Sequence, residues 1–145
     1  PLKRLYDSLG KLPTKNIMVV MDSCFSGAGG RSVIARGTRP LVNVAQKKPV
    51  SDSIVVLAAA SGEQISSFYQ EKGHGLLTYF FLKGLQGAAD EDKDGAVELG
   101  ELFDYVKPNV VKHARKLNNV EQTPQVVGDP ATLESRSRQK LIELK

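Results

Sequence analysis

Two short, unbroken apolar runs constrain this chain more than any other feature. They are Ile17-Met18-Val19-Val20-Met21 and Ile54-Val55-Val56-Leu57-Ala58-Ala59-Ala60. Neither alternates polar with apolar, so each reads as a strand covered on both faces. Strands of that kind need helices as cover. Residues 2 to 10 place Leu2, Leu5, Tyr6 and Leu9 at helical spacing and end at Gly10. Residues 74 to 86 are apolar almost all round, the pattern of a deeply buried helix or one that faces a partner. From about 98 to 117, Leu99, Leu102, Phe103, Val106, Val110, Ala114 and Leu117 fall near one face, with Pro108 expected to kink or restart the helix. Pro124-Gln125-Val126-Val127 reads as a short last strand closed by Gly128. This order predicts an α/β layer protein with a mostly parallel central sheet.

The length of 145 residues suits one domain with a real core. Residues 1–129 read as that domain, and the charged, amphipathic residues 130–145 as a terminal helix or a tail. No apolar run approaches a membrane span, and Pro1-Leu2-Lys3-Arg4 is not followed by a signal-peptide core. The expectation is a cytoplasmic chain with no membrane partner. The net charge of +4 is scattered among acids, with no basic stripe interleaved with aromatics, so nucleic acid is not an expected partner. A single cysteine excludes an internal disulfide, and no Cys/His cluster suggests zinc.

That cysteine is Cys24, in Asp22-Ser23-Cys24-Phe25-Ser26-Gly27 directly after the first apolar run. Lone cysteines are mostly inert packing. Here the flanks are Asp, Ser and Gly, which do not make an apolar pocket. The carboxyl end of a strand is where alternating strand and helix scaffolds present reactive groups. A sulfur there, followed by glycines that admit a substrate backbone, reads as a nucleophile.

This segment resembles the nucleophile motif of the caspase-like cysteine peptidases, on the metacaspase and bacterial side of that family. Three later segments are similar to it in the same order: Ala59-Ala60-Ser61-Gly62-Glu63-Gln64, Gly73-His74-Gly75-Leu76-Leu77-Thr78-Tyr79 and Thr123-Pro124-Gln125. The resemblance spans roughly residues 1 to 128. It implies part of a three-layer caspase-like fold and a Cys-His dyad acting on a peptide or protein substrate. Cys24 then corresponds to the nucleophile, with its own backbone N–H as oxyanion donor and Gly27 keeping the loop open. Asp22 corresponds to the carboxylate that pairs with Arg or Lys of the substrate, and Ser61 is a further candidate substrate-binding residue. The plainer reading of Asp22 is a loop or helix cap.

The histidine does not match. In caspases it lies about 50 residues before the cysteine. Only 23 residues precede Cys24, and none is His. His74, at a predicted helix start, reads as a capping or packing residue, and His113 as an ordinary surface or core residue. The resemblance therefore implies the C-terminal part of a peptidase domain, partnered by an N-terminal segment of that domain that carries the histidine. The alternative is a catalytically inactive caspase-homology module that binds partners.

A second constellation runs from Asp90 to Glu101. Asp90, Asp92 and Asp94 stand at positions 1, 3 and 5, Gly95 at 6, Val97 at 8, Glu98 at 9 and Glu101 at 12. This fits the twelve-residue calcium loop of an EF-hand, with Glu98 contributing through water. The plainer reading is an acidic connector between two helices that needs no metal. Residues 28 to 52 read as a long loop rich in Gly and Pro, with Leu41, Val42 and Val44 as a candidate short strand. The loop carries Arg31, Arg36, Arg39, Lys47 and Lys48. In the family the matching segment is often cut, so these basic residues are candidate self-cleavage sites.

Overall fold

The computed structural model describes residues 2–22, 51–61 and 64–145. Helix α1 (Leu2–Leu9) leads to strand β1 (Ile17–Met21), and β2 (Ile54–Ala58) follows. A small hairpin of β3 (Phe68–Tyr69) and β4 (His74–Gly75) runs straight into α2 (Leu76–Lys83), which ends in a wide helical turn over Gly84–Ala88. Then come β5 (Ala96–Glu98), α3 (Leu99–Asn118), β6 (Gln125–Val127), α4 (Pro130–Arg136) and β7 (Lys140–Glu143).

The main sheet has the order β1-β2-β6. All five residues of β2 are buried, as the second apolar run predicts. Its side chains alternate between two cores. Leu57 packs with Leu76, Leu77 and Phe80 of α2 and Leu102, Val106, Val110 and Ala114 of α3. Ile54 and Val56 pack with Ile17, and Tyr6 and Leu9 of α1 close over that side. Fully burying such a side chain contributes about 1.5–3 kcal/mol. The chain is mixed α/β, with apolar clusters on both faces of the sheet.

Four features differ from the sequence-based expectations. First, β1 is parallel to β2 but β6 is antiparallel to it, so the described sheet is not mostly parallel. The reason is where β6 starts: Gln122 and Thr123 are tied to the carboxyl end of β2, so the strand after them must run back. Second, β1 is covered less than its composition implies. Only Ile17 is buried, Val20 is 36% exposed, and among the described residues β1 pairs with β2 alone. Third, α3 runs unbroken through Pro108. Pro108 and Asp104, whose carbonyl the proline cannot satisfy, are both exposed, so the proline falls on the solvent side of the helix, where the lost bond costs least. Fourth, the stretch apolar all round is not buried all round: Leu82 is 43% exposed. The candidate strand at Leu41, Val42 and Val44 lies outside the described residues.

Residues 130–145 pack against the rest of the chain. Asp129 caps α4 through Ala131 N–H and Thr132 N–H. Strand β7 pairs antiparallel with β5, setting Val97 opposite Ile142. No helix among the described residues is long and apolar enough to cross a membrane.

The burial difference along α2 is directly testable. Leu77 is fully buried, so Leu77→Ala should cost about 2–5 kcal/mol in urea unfolding. Leu82→Ala, on the exposed side, should stay within about 0.5 kcal/mol.

Candidate functional site

Asp22 is the first residue after β1, at the carboxyl edge of the sheet. Its carboxylate is half-buried and accepts three hydrogen bonds. Ser66 Oγ donates to Oδ1 at 2.6 Å, and Thr78 donates to Oδ2 through its backbone N–H at 2.9 Å and its hydroxyl at 2.7 Å. Thr78 is the third residue of α2, whose N-cap, Gly75, has no side chain to offer. Asp22 thus caps α2 from a different segment, placing a negative charge where the helix dipole favours one. Gly75 is in extended backbone, so conformation does not explain its identity. Space does: a Cβ there would collide with the Asp22 carboxylate.

The bonding continues around the same edge. Ser61 donates its hydroxyl and its N–H to Gln64 Oε1. The same oxygen accepts Thr123 N–H at 2.7 Å, and Gln64 Nε2 donates to Thr123 Oγ1 at 3.3 Å. Gln122, only 1% exposed, accepts Ser67 N–H through Oε1 at 2.7 Å and donates Nε2 to the Ala59 carbonyl at 3.1 Å. Neighbouring residues join these links, Ser66 to Ser67 and Gln122 to Thr123. The outcome is one polar network joining the end of β1, the end of β2, the start of α2 and the start of β6. Ser67 Oγ is buried in it without a partner.

Of the predicted peptidase residues, Asp22 and Ser61 belong to this network, while Cys24 and Gly27 lie outside the described residues, as does nearly all of the 28–52 loop. His74 is exposed on β4 opposite Tyr69. His113 is half-buried, its Nδ1 2.8 Å from the Asn109 carbonyl and its ring 4.7 Å from that of Phe80, so it packs. Among the described residues neither side chain hydrogen-bonds to the carboxyl-edge network. Gln122 and Ser66 escaped the sequence reading. A buried glutamine carries no periodic signal, and only the pairing of segments far apart in sequence reveals it.

The acidic loop forms a second, separate site. Asp90, Asp92 and Asp94 each bring a carboxylate oxygen within 4.8 Å of the others. Lys93 and Gly95 turn the chain with φ of 60° and 83°, and the glycine takes that conformation without strain. Asp90 Oδ2 accepts Gly95 N–H, while Asp90 Oδ1 is buried with no hydrogen-bond partner. Such an orphaned oxygen is costly to bury, and a hard cation would satisfy it. Glu98 and Glu101, expected as ligands, are not in the cluster. They form a reciprocal capping box at the start of α3, with Glu101 Oε2 accepting Glu98 N–H at 3.0 Å. The other oxygen, Oε1, accepts Glu91 N–H at 3.0 Å, so Glu101 braces the loop from outside.

Lys140 of β7 donates to Asp94 Oδ2 at 3.1 Å. This hydrogen bond, helped by Ala96 N–H, holds the Asp94 carboxyl below its ordinary range, and the same contact raises the Lys140 ammonium. No protein-family model, curated protein or solved structure matches this chain.

Two predictions follow from these contacts. Gly75→Ala should destabilise the fold by about 1–3 kcal/mol, and most of that cost should vanish in an Asp22→Ala background, where the colliding carboxylate is gone. A double-mutant cycle in urea checks this; additive costs would show that the two residues do not meet. The clasp should also depend on pH. A lowered carboxyl pKa stabilises above the ordinary value of 3.8 and is lost as pH falls through the folded value. Protection factors of the β5–β7 amides, taken against the intrinsic exchange rate at each pH, should therefore fall on acidification in that window, and Lys140→Gln should remove the part owed to this pair.

Proposed function

We propose that this chain is the C-terminal part of a caspase-like cysteine endopeptidase domain that cleaves after Arg or Lys. Cys24 is the nucleophile, and the histidine that assists proton transfer lies on a segment outside this chain. The observation that supports this reading is the carboxyl-edge network. It ties together four segments singled out by their order in the sequence: Asp22 next to Cys24, Ser61 and Gln64 after β2, Thr78 at the start of α2, and Thr123 before β6. A substrate groove needs such a rim, held rigid at the ends of strands.

The half-covered strand β1 supports the same reading. Its outer edge and Val20 are open among the described residues, which suits a further strand from the histidine-bearing segment. The three bonds on Asp22 refine the specificity argument. A carboxylate offers about four acceptor sites. Among the described residues one is left without a donor, which suits a single charge-assisted bond to a basic side chain rather than a bidentate one.

The same reading gives the acidic loop a role. Calcium bound by Asp90, Asp92 and Asp94 would supply a fixed positive charge to three crowded carboxylates and satisfy the orphaned Asp90 Oδ1. The loop would then stabilise the β5–β7 corner rather than take part in peptide cleavage.

Two experiments test these proposals. In the protein that carries the histidine segment, a peptidyl electrophile with Arg at P1 should label Cys24, and Cys24→Ala should abolish both labelling and proteolysis. Proteolysis that persists in that variant would overturn the assignment. For the loop, calcium at a hundredfold excess over Kd should add about 2.7 kcal/mol of stability and so raise the melting temperature. Asp90→Asn should abolish the shift; equal melting in calcium and in chelator would leave the loop as a connector.

A further inference from the structure

At the opposite edge of the sheet, where β1 and β2 begin, α4 lays Arg136 across both strands. Its side chain is deeply enclosed, with the residue 7% exposed. Nη1 donates to the carbonyls of Ile17 at 3.2 Å and Ser53 at 3.3 Å, and Nε donates to Gln139 Oε1 at 2.7 Å. Every one of these acceptors is neutral. Neither the Arg115–Glu121 nor the Lys140–Asp94 ion pair involves it, and among the described residues no carboxylate pairs with this guanidinium. Its remaining nitrogen, Nη2, makes no hydrogen bond among the described residues.

Arg136 lines an open cleft of about 490 Å³ together with Lys15, Asn16, Ser51, Asp52 and Ser53. The hydroxyls of Ser51 and Ser53 lie 2.7 Å apart. Only one can donate to the other, which leaves a hydroxyl proton free to point outward. Arg136 and Lys15 together outweigh the single Asp52 carboxylate. A buried cation with neutral partners, a guanidinium nitrogen with no partner among the described residues, an ammonium, an amide and a spare hydroxyl make a donor set with an excess of positive charge. Donors of this kind match the oxygens of a tetrahedral oxoanion, and an arginine is well suited to hold one.

We propose that this cleft binds a phosphate group, with Arg136 and Lys15 as its charged contacts. The cleft is far larger than phosphate alone, so the group belongs to a small phosphate ester whose remainder fills the open side. The site stands on the amino edge of the sheet, away from Asp22, and does not depend on the endopeptidase reading. Because Arg136 also holds the first carbonyl of β1 and the Ser53 carbonyl just before β2, a bound phosphate would brace the two strands where they start.

The test titrates the full chain with inorganic phosphate and, separately, with phosphoserine, at constant ionic strength against a chloride control. Binding is followed by amide chemical shifts and by melting temperature. The expected result is saturable binding, with shifts centred on Lys15, Asn16, Ser53 and Arg136, and tighter binding of the ester than of free phosphate. Equal binding of the two would assign the site to free phosphate. Lys15 is exposed, so Lys15→Gln should leave the melting temperature without ligand unchanged and weaken binding roughly tenfold. Arg136→Lys keeps the charge but loses the fork and should weaken it further. Should that variant fail to fold, Lys15→Gln decides alone. No saturable response to millimolar phosphate beyond chloride, or a response unchanged by Lys15→Gln, would overturn the proposal.

Discussion

The structure depends on the complete burial of β2. A strand sealed on both faces has no water to satisfy its backbone, so every polar group at its ends must find a protein partner. At the carboxyl end the Ala59 N–H donates to the Met21 carbonyl, continuing the ladder with β1. The Ala59 carbonyl is met by the buried amide of Gln122. That single side chain fixes where the segment after α3 must pass. It therefore fixes the direction of β6 and draws Thr123 against Gln64. At the amino end the Ile17 and Ser53 carbonyls are met by Arg136. The strand is thus closed by a neutral amide at one end and a cation at the other. That asymmetry separates the two candidate sites in chemical character.

The elements were legible where packing obeys a simple period. Leu102, Val106, Val110 and Ala114 recur at helical spacing, and all four are buried on one side of α3. The two apolar runs are strands β1 and β2. The period could not show what covers each strand, because cover is supplied by residues far away in sequence. Val20 and Val56 look alike in the sequence, yet one is 36% exposed and the other 3%. The direction of β6 was hidden for the same reason, being set by a glutamine that no pattern marks.

The candidate sites show a similar limit. Asp22 was legible as a residue that matters, but not its partners: the bond to Thr78 spans 56 residues. Gly75 gains its meaning only from that contact. In the acidic loop two rules demand the same residue. A calcium loop asks for Glu at its twelfth position, and a capping box asks for Glu three residues after the N-cap. Glu101 answers both, since Glu98 is the N-cap of α3. The sequence cannot say which rule is obeyed. The structure has the capping arrangement, with Asp90 Oδ1 left buried and unpartnered beside it.

The turn between α4 and β7 joins features that sequence distance keeps apart. The first N–H groups of any helix lack intrahelical partners. In α3 they are satisfied from two sources. Leu99 N–H donates to the Gln139 carbonyl at 3.1 Å and Gly100 N–H to the Ser137 carbonyl at 2.8 Å. Glu98 and Glu101 satisfy the others through the capping box. Gly100 sits close to this turn: a Cβ would stand 3.1 Å from the Ser137 oxygen, a tight contact. Residues 136 to 140 therefore hold Arg136 at one end, the start of α3 in the middle and Lys140 on Asp94 at the other. Whatever orders this turn from one side lowers the cost of ordering it from the other. A ligand on Arg136 and a cation among Asp90, Asp92 and Asp94 would both act on the same few residues. Linkage then requires that any help one gives the other is returned in equal measure.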